Sequence, residues 1–191
     1  MARREHSRFR LLLSAAFAML WLEHPMETLN YSRYHSDITD LVLAASEKGL
    51  VVLEFDRGKF PPKKSKYEWV ESAAKLKPYA RELDEYFAGE RRDFRFPLDL
   101  RGTPFQLDCW NALLKIPYGE TRSYADIARA IGHVNAFRAV GMANNRNPIA
   151  IVVPCHRVLA SDGTLCGYGG GLDLKRKLLE LEGALSGTLA A

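Results

Sequence analysis

The second half of this chain is interpreted from one segment, Ile149-Ala150-Ile151-Val152-Val153-Pro154-Cys155-His156-Arg157-Val158. Its first five residues are apolar and mostly β-branched, a composition that predicts a buried strand from Ile149 to Val153. Proline breaks such a strand, so Cys155 would follow directly after its end. We therefore expect a rigidly held thiol that can face a cleft.

The residues after the thiol are of the kind that activates a nucleophile. A thiolate is the reactive form of cysteine, and a nearby base or cation raises its population at neutral pH. His156 and Arg157 supply both. Because neighbours on an extended segment point to opposite faces, a water would carry the proton from Cys155 to His156. Taken alone, a Cys-His pair is more often structural than catalytic.

Composition and charge bound the function without deciding it. The chain has 191 residues, enough for one domain or two small ones, and a formal net charge of +4. A basic surface permits binding to nucleic acid, because phosphate contacts release counterions, but a merely solvated surface has the same charge. The three cysteines, Cys109, Cys155 and Cys166, form no C-x-x-C pair. They argue against a disulfide framework and a finger-type zinc site and favour reduced thiols in the cytoplasm.

The first 25 residues differ from the rest. Arginines precede an apolar run from Leu11 to Leu22, as in a signal peptide, but the run is too short to span a bilayer. Its cleavage cue is poor, because Glu23-His24-Pro25 follows where small residues are typical. We interpret residues 1–25 as a disordered extension or a mis-assigned start, and Met26 as the first residue of the folded chain. No membrane association is expected, and residues 185–191 are expected to form a tail.

Residues 26–100 carry an α+β pattern and no chemical constellation, so we expect a support domain. Alternating apolar residues indicate strands, and Glu47-Lys48-Gly49 separates two apolar runs as the turn of a hairpin does. The expected elements are a weak strand over Leu29–Arg33, a hairpin of Leu41–Ala45 with Leu50–Phe55, helical material over Tyr67–Ala88 interrupted near Pro78, and an edge strand over Phe94–Leu100.

Residues 101–184 begin and end with helix signals. Thr103-Pro104 combines an N-cap hydroxyl with proline at the first helical position. Cys109 falls on the apolar face of the helix that follows and is expected in the core. A last amphipathic helix is expected over Leu174–Glu182, with Gly183 as its stop.

Two short helices are predicted between these ends. Ser123 and Asp126 form a capping box for the first, and Gly132 is its stop. Asn135 is expected to cap the second, which would run to about Asn144. A pair of short helices around a glycine-containing turn is typical of a helix-turn-helix, although many helical pairs look the same.

The second of these helices is rich in small residues over Ala136–Ala143. Small side chains let a backbone approach another surface closely, which suits either tight packing on a neighbouring helix or contact with DNA. Arg138 is the only charged residue in that stretch and is a candidate for reaching into DNA.

Several motifs together resemble one protein family. They are Ser123-Tyr124, Arg138-Ala139-Val140-Gly141, Asn147-Pro148, Pro154-Cys155-His156-Arg157-Val158, Gly167-Tyr168 and Leu181-Glu182-Gly183. In this combination they resemble the O6-alkylguanine-DNA alkyltransferases, also called methylated-DNA–protein-cysteine methyltransferases. The strong resemblance covers about Gly102 to Gly183, and a weaker one extends back to about Met26.

The resemblance implies an α+β fold in two parts. A small sheet-plus-helix domain of the ribonuclease H-like type would occupy residues 26–100. A helical, winged-helix-like DNA-binding domain over residues 101–184 would carry Cys155.

The resemblance also implies a function, which is DNA repair by direct reversal. Cys155 would take the alkyl group from O6 of a guanine flipped out of double-stranded DNA, which the protein approaches from the minor groove. Arg138 would fill the gap that the flipped nucleotide leaves in the duplex. Tyr124 would help to rotate the DNA backbone and would donate a hydrogen bond to the guanine. The DNA-binding residues that the resemblance implies are Ser123, Tyr124, Arg138, Ala139 and Gly141.

The remaining site residues are assigned by the same resemblance. His156 would deprotonate Cys155 through a water, Glu182 would orient His156, and Asn147 would brace the segment before the nucleophile. The catalytic set is therefore Cys155, His156, Glu182, Asn147 and Tyr124. The substrate pocket would include Pro154, Val158, Tyr168 and Gly169.

Four residues around the pocket are harder to assign. Arg157 is expected to bond loop carbonyls, and Lys175 is either a pocket lysine or a solvated helix charge. Cys166 would be a bystander or an oxidation-prone thiol near the pocket. Gly169 stands where some relatives carry serine.

The implied product is a thioether, which cellular thiols do not cleave, so each molecule would act once. No cofactor is needed. No metal site is expected either, because zinc-binding members of the family use the N-terminal domain and this chain has no cysteine before Cys109. We expect a cytoplasmic monomer whose partner is double-stranded DNA containing O6-alkylguanine. The sequence leaves open whether O4-methylthymine or larger adducts are accepted.

Three other functions compete with this interpretation. A non-catalytic alkylguanine-binding protein of the same fold would lack the nucleophile, whereas Cys155 is present. A helix-turn-helix transcription factor with a redox thiol would need long polar side chains on its second helix, which has few. A cysteine hydrolase would need a second catalytic signature, and the sequence contains none.

Overall fold

The computed structural model of the chain describes residues 26–185. The extension expected over residues 1–25 lies outside the described residues, as does the tail beyond residue 185. In the part that is described, no helix is long and apolar enough to cross a membrane.

The N-terminal half is built on a four-stranded sheet. Its strands are β1 (Glu27–Tyr34), β2 (Leu41–Ser46), β3 (Gly49–Phe55) and β4 (Tyr67–Glu71). They lie in the order β3-β2-β1-β4, in which β1 and β4 are parallel and the other pairs are antiparallel. The strand expected around Leu29 and the β2–β3 hairpin are thus confirmed. Gly49 begins β3 at a point where a Cβ atom would lie 2.4 Å from the carbonyl oxygen of Pro97, so only glycine fits there.

The helix α1 (Ala73–Phe87) covers one face of this sheet through Leu76, Leu83 and Tyr86. Two expectations were wrong here. Residues 67–71 form β4 rather than helix, because their alternating pattern pairs with β1. Pro78 lies within α1 without ending it. The helix loses one backbone hydrogen bond at the proline, and burial of its apolar face outweighs that loss.

The edge strand expected over Phe94–Leu100 is reduced to a single bridge between Leu98 and Leu50. Backbone hydrogen bonds join Leu50 to Pro97 and Asp99, at 2.9 and 2.8 Å. Pro97 itself has no N–H to donate, which limits the pairing. The expectation of a full strand was therefore wrong, although the segment does lie along β3.

The C-terminal half is helical, which completes the predicted α+β fold. Its helices are α2 (Pro104–Leu113), α3 (Tyr124–Ala130), α4 (Phe137–Asn145) and α5 (Leu172–Leu181), with a 3₁₀ helix over Cys155–Arg157. Two short strands, β5 (Arg122–Ser123) and β6 (Val158–Leu159), pair in parallel. The predicted helix-turn-helix corresponds to α3 and α4.

Helix starts follow the sequence signals in two cases out of three. Thr103 and Ser123 each form a complete capping box, with Gln106 and Asp126 respectively. Asn135 does not cap α4, as was expected; the N-cap is Ala136, whose backbone N–H bonds His133 in a continuing turn.

The core helices are held together through α2. Cys109 is fully buried, as expected, and the neighbouring Trp110 donates its indole N–H to the carbonyl oxygen of Ala143 at 3.0 Å. This bond fixes α4 against α2, so the exposed face of the second helix has a defined orientation.

The segment before the nucleophile is not the strand that its composition predicts. Ile149 makes one bridge to Leu53 on β3, and the chain then turns through short-range backbone bonds up to Cys155. Ile151 has a φ of 70°, a left-handed conformation that β-branched residues rarely adopt. Its side chain is 1% exposed. Burial in a tight turn, rather than pairing in a sheet, explains the apolar run.

Removal of the α2 cap tests the helix assignment. The change Thr103→Ala should lower the free energy of unfolding by about 1 kcal/mol, because the backbone N–H of Gln106 loses the hydroxyl that accepts its hydrogen bond. Urea unfolding measures the difference. Thr121→Ala is the matched control and should change stability by less than about 0.5 kcal/mol. Equal losses in the two variants would contradict the capping role.

Candidate active site

The nucleophile is fixed by its neighbours on the preceding turn. Cys155 begins the 3₁₀ helix and is 8% exposed. The side-chain amide of Asn147 donates to the Cys155 sulfur at 3.2 Å and to the carbonyl oxygen of Val153 at 2.8 Å. Its oxygen accepts from the backbone N–H of Ile149 at 3.0 Å. Asn147 therefore spans the whole turn and sets the position of the sulfur.

Burial raises the pKa of the Cys155 thiol. The hydrogen bond from Asn147 and the positive charge of Lys175 act in the opposite direction without cancelling that effect. The group is consequently a neutral thiol at pH 7, and it needs a base before it can attack.

His156, Arg157 and Tyr86 form a buried cluster around Glu182, which directly follows α5. One carboxylate oxygen accepts from His156 Nε2 at 2.9 Å, from the Tyr86 hydroxyl at 2.7 Å and from Arg157 at 2.9 Å. The other accepts from Arg157 Nε at 2.7 Å. With four donors the carboxylate is well satisfied despite its burial.

The charges in this cluster follow from the hydrogen bonds. Burial alone would raise the pKa of Glu182, but the bonds from His156 and Arg157 outweigh it and hold the pKa at about 2. Burial lowers the pKa of His156, so the ring is neutral at pH 7. An ionised carboxylate only accepts, so Nε2 carries the proton and Nδ1 is left as the acceptor. Nδ1 is buried and has no hydrogen-bond partner among the described residues.

Arg157 and Lys175 support the site rather than face solvent. Arg157 donates to the carbonyl oxygen of Ile116 at 2.6 Å, as its expected role requires, but its main partner is Glu182. Lys175 is fully buried, so its interpretation as a solvated charge was wrong. Its ammonium group donates to the carbonyl oxygens of Val158, at 2.6 Å, and Cys166, at 2.9 Å. It thereby joins the nucleophile segment to the loop that follows.

Sequence reasoning missed Tyr86. It comes from α1 in the half of the chain that was interpreted as support, and it is fully buried against Glu182. The signal was present: Leu76, Leu83 and Tyr86 share one helical face, and a buried tyrosine hydroxyl needs a partner. The sequence could not show that the partner lies 96 residues away.

A cavity of about 320 Å³ reaches the nucleophile. Cys155 and Asn147 line it together with Tyr168 and Gly169, two of the four residues that the resemblance assigned to the substrate pocket. The lining also includes residues of the N-terminal half, which sequence analysis did not place there: Leu53, Glu54, Phe55, Asp56, Arg57, Lys59 and Phe60. Arg57 also donates to the carbonyl oxygen of Gly169, which holds the glycine loop against β3.

Two predicted pocket residues lie beside the nucleophile but do not line this cavity. Pro154 is buried behind Cys155, and Val158 is buried in β6. The carbonyl oxygen of Val158 is occupied by Lys175.

A second cavity of about 540 Å³ lies at the helix-turn-helix. Tyr124, Phe137, Gly141 and Cys166 are among the residues that line it. Burial first, and then a hydrogen bond with Cys166, raise the pKa of Tyr124. The thiol expected to be a bystander or an oxidation-prone group thus lines the same cavity as Tyr124.

The other predicted DNA-binding residues lie on α4 and, in the case of Ser123, at the start of α3. Arg138 and Ala139 are exposed, and a Cβ atom on Gly141 would lie 3.7 Å from the Tyr124 ring. Ser123 uses its hydroxyl in the α3 cap, where it donates to Asp126 at 2.7 Å. Exposed apolar residues flank Arg138 on the same helix, with Phe137 47% and Met142 59% exposed.

Over residues 26–185, no group of three or more histidine, cysteine or acidic side chains is arranged to hold a metal ion.

Comparisons with known proteins agree with this geometry. A model of the DNA-binding domain of 6-O-methylguanine DNA methyltransferase matches residues 104–184, and a model of the ribonuclease-like domain of the same enzyme matches residues 29–100. The chain belongs to the 6-O-methylguanine DNA methyltransferase family. This membership confirms the predicted family and its α+β fold of two parts.

Individual relatives cover most of the chain. The methylated-DNA–protein-cysteine methyltransferase of Methanosarcina acetivorans is 50% identical over 156 residues, which span 81% of this chain and 98% of that protein. The protein of the same name from Mycobacterium tuberculosis is 49% identical over 154 residues, spanning 81% and 92%. The predicted activity, methyl transfer from DNA to a protein cysteine, is the one that these relatives carry in their names.

Solved structures give the same result. The crystal structure of Mycobacterium tuberculosis OGT in complex with DNA superposes with a TM-score of 0.74 at 48% identity, covering 81% of this chain and 93% of that one. The crystal structure of the O6-methylguanine methyltransferase of the same organism gives a TM-score of 0.73 at 46% identity, covering 85% and 98%.

The Glu182 cluster predicts how stability depends on pH. Unfolded carboxyl groups protonate near pH 4.5, whereas Glu182 keeps its charge to about pH 2, so its contribution is lost as pH falls through that window. The lowered pKa of His156 acts in the same direction below about pH 6.5. The free energy of unfolding should therefore decrease from pH 7 to pH 3, as measured by urea titration.

Glu182→Gln should flatten this pH dependence. The variant should also lose about 3–5 kcal/mol at pH 7, because Arg157 is left buried without its anion. Glu90→Gln, at an exposed carboxylate, is the control and should keep the wild-type slope. A Glu182→Gln slope equal to the wild-type slope would refute the assignment.

Proposed function

We propose that this chain repairs double-stranded DNA by moving the O6-alkyl group of guanine irreversibly to the sulfur of Cys155. The observation that carries the proposal is the pairing of a buried neutral thiol with a neutral histidine whose other ring nitrogen is anchored on an ionised carboxylate. In such a pair the thiol keeps its proton until a substrate arrives, and the histidine can then accept that proton.

DNA would be bound by the helix-turn-helix from the minor-groove side. On α4, Ala139 is exposed and Gly141 is half-buried beside Tyr124, and residues this small let the helix approach a narrow groove closely. Arg138 is exposed on the same helix and would enter the stack where the damaged nucleotide leaves it. Ser123 would act at this surface by starting α3, since its hydroxyl and its backbone N–H are both bonded to Asp126 in the cap.

The guanine must leave the duplex, because its O6 substituent cannot reach a buried sulfur from within the stack. Tyr124, which lines the cavity at the helix-turn-helix, would guide it and donate a hydrogen bond to the base. Tyr168 would border the base on the side of the glycine loop. Its buried hydroxyl has no hydrogen-bond partner among the described residues and so is free to bond the base. Pro154, Val158 and Gly169 would complete the enclosure.

The transfer is an in-line displacement. Nδ1 of His156 takes the thiol proton through one water, and the Cys155 sulfur attacks the carbon bound to O6. A C–S bond forms as the C–O6 bond breaks. The guanine leaves with the electron pair of the broken bond and then takes up one proton, which neutralises its negative charge. Glu182 stabilises the histidinium that forms, with Arg157 and Tyr86 keeping the carboxylate in place. The thioether that remains ends the activity of the molecule.

We further propose that the protein acts as a monomer in the cytoplasm without a cofactor. The displacement needs only the thiol, the base and the substrate. Three unpaired cysteines also suit a reducing compartment.

Intact mass tests the transfer directly. After incubation with a duplex that contains O6-methylguanine, the protein should gain about 14 Da, the mass of one methylene, on the peptide that contains Cys155. Cys155→Ala should bind the duplex and gain nothing. Cys109→Ala should react like the wild-type protein, because Cys109 is fully buried in the core with a pKa raised to about 11 by burial. Unchanged mass with retained DNA binding would instead favour a non-catalytic lesion-binding protein.

Substitution of the arginine on α4 tests base extrusion. Arg138→Ala should slow transfer by about tenfold or more, because a charged contact in the duplex is lost. Arg138→Lys keeps the charge, so its DNA affinity should stay near wild type while its transfer stays slow. Arg81→Ala removes the same charge from α1, where the side chain is 71% exposed, and should leave both unchanged. Wild-type transfer by Arg138→Ala would rule out this role.

A further inference from the structure

The loop between β3 and β4 concentrates positive charge on the surface of the N-terminal half. Residues 57–66, the lysine loop, contain no acidic residue and five basic ones: Arg57, Lys59, Lys63, Lys64 and Lys66. All five are exposed. The formal net charge of the full chain is only +4, so this one loop carries more positive charge than the chain has in excess. The DNA contacts proposed on α3 and α4 make no use of it.

The charges of the lysine loop are not neutralised within the protein. Over residues 26–185, none of its four lysines forms an ion pair with a carboxylate. Lys66 lies over the ring of Tyr67, with 5.0 Å between its Nζ and the ring centroid. Asp56, the acidic residue directly before the loop, is paired with Arg33 at 3.0 Å. A group of like charges without partners attracts an external anion.

The loop is held in place on the sheet by its one aromatic residue. The Phe60 ring packs against those of Tyr31 and Trp69, with centroids 5.3 and 4.8 Å apart. The carbonyl oxygen of Phe60 accepts a hydrogen bond from Arg33 at 3.0 Å. The two residues that follow are prolines, which fix the backbone φ. Less conformational entropy is therefore lost when the lysines beyond them bind a ligand.

The lysine loop begins beside the helix that is proposed to enter the minor groove. Arg57 and Lys59 line the same cavity as Asn145, the exposed last residue of α4. Arg57 also donates to the carbonyl oxygen of Gly169, which fixes this junction. The seven residues from Lys59 to Lys66 reach at most about 25 Å. Since each DNA strand has one phosphate per about 3.4 Å, the phosphates within reach lie inside about seven base pairs of that end of α4.

Phosphate of the bound duplex is the anion that fits this position best. A lysine ammonium binds phosphate as a point charge and reads no sequence, so a flexible row of lysines needs no exact register with its ligand. A duplex held by α4 also presents its phosphates to the neighbouring loop at high effective concentration. A separate acidic protein would have to bind without that advantage.

We propose that the lysine loop is a second DNA-binding surface, which contacts phosphates of the same duplex beyond the C-terminal end of α4. Lys63, Lys64 and Lys66 would make these contacts. They would raise the affinity for damaged and undamaged DNA alike, and so keep the protein on intact duplex while it searches for a lesion. This inference rests on the proposed function.

The salt dependence of DNA binding tests this surface. In the triple variant Lys63→Gln, Lys64→Gln, Lys66→Gln, the slope of log K against log salt concentration should become shallower by about 2 to 3, because each lost phosphate contact removes about 0.9. The affinity for undamaged duplex at about 0.1 M salt should fall about tenfold or more. Fluorescence anisotropy of a labelled undamaged duplex measures both. Lys59 is left in place, because it lines the cavity that contains Cys155.

A matched variant on α1 separates a local contact from net charge. Lys75→Gln, Lys77→Gln, Arg81→Gln removes the same charge from exposed positions. The helix covers the face of the sheet opposite to the one on which Phe60 packs. This variant should keep the wild-type slope. Equal losses of slope in the two triple variants, or a wild-type slope in the lysine-loop variant, would overturn the proposal.

Acetylation of the wild-type protein gives a second measurement that needs no substitution. Undamaged duplex should slow the reaction of Lys63, Lys64 and Lys66 with an N-hydroxysuccinimide ester of acetate at least about threefold, as measured by peptide mass spectrometry. Lys75 and Lys77 should react at unchanged rates. Loop lysines that react as fast with duplex as without it would contradict the contact. Equal protection by a poly-glutamate peptide of the same charge would instead favour an acidic protein as the partner.

Methyl transfer distinguishes failure of this inference from failure of the proposed function. With saturating duplex containing O6-methylguanine, the lysine-loop variant should gain about 14 Da as the wild-type protein does, because its Cys155 site is unchanged. No gain by the wild-type protein would reject the proposed function itself. A gain by the wild-type protein, together with an unchanged salt slope in the lysine-loop variant, would reject only the second surface.

Discussion

A single buried carboxylate organises this molecule. Glu182 accepts hydrogen bonds from Tyr86 on α1, from His156 next to the nucleophile and from Arg157, so it touches both halves of the chain. A buried anion is tolerated only when its partners are all in place. The packing of α1, the end of α5 and the 3₁₀ helix must therefore be correct together. The same carboxylate that joins the two halves also sets the tautomer of His156.

The N-terminal half is part of the active site rather than a scaffold beneath it. The backbone N–H of Leu53 on β3 bonds the carbonyl oxygen of Pro148, and the N–H of Ala150 bonds the carbonyl oxygen of Leu53, at 2.9 and 2.8 Å. The turn that carries the nucleophile is thus docked on a sheet edge. Arg57 reaches from the end of the same strand to the glycine loop. Sheet, turn and loop enclose the cavity from three directions.

The sequence predicted what depends on local signals. The capping boxes at Thr103 and Ser123 each depend on residues only three positions apart, and the motif around Cys155 together with the other motifs of residues 102–183 was specific enough to identify the family. Non-local features were missed. The partner of Glu182 across the domains is one, and the true environment of Lys175 is another, because a lysine on an amphipathic helix is normally solvated. The run before Cys155 was mistaken for a strand because β-branched composition reports burial as much as sheet pairing.

The left-handed conformation of Ile151 has a consequence for protein design. An idealised sequence would place glycine at this position, which would relieve about 1–3 kcal/mol of backbone strain. The same change would remove about 1.5–3 kcal/mol of side-chain burial, so the two effects nearly cancel. What glycine would take away is stiffness, since its backbone has far more accessible conformations. At this position the thermal stability of the protein and the rigidity with which the turn holds the Cys155 sulfur are separate properties. A substitution that preserves stability can still leave the sulfur less well positioned.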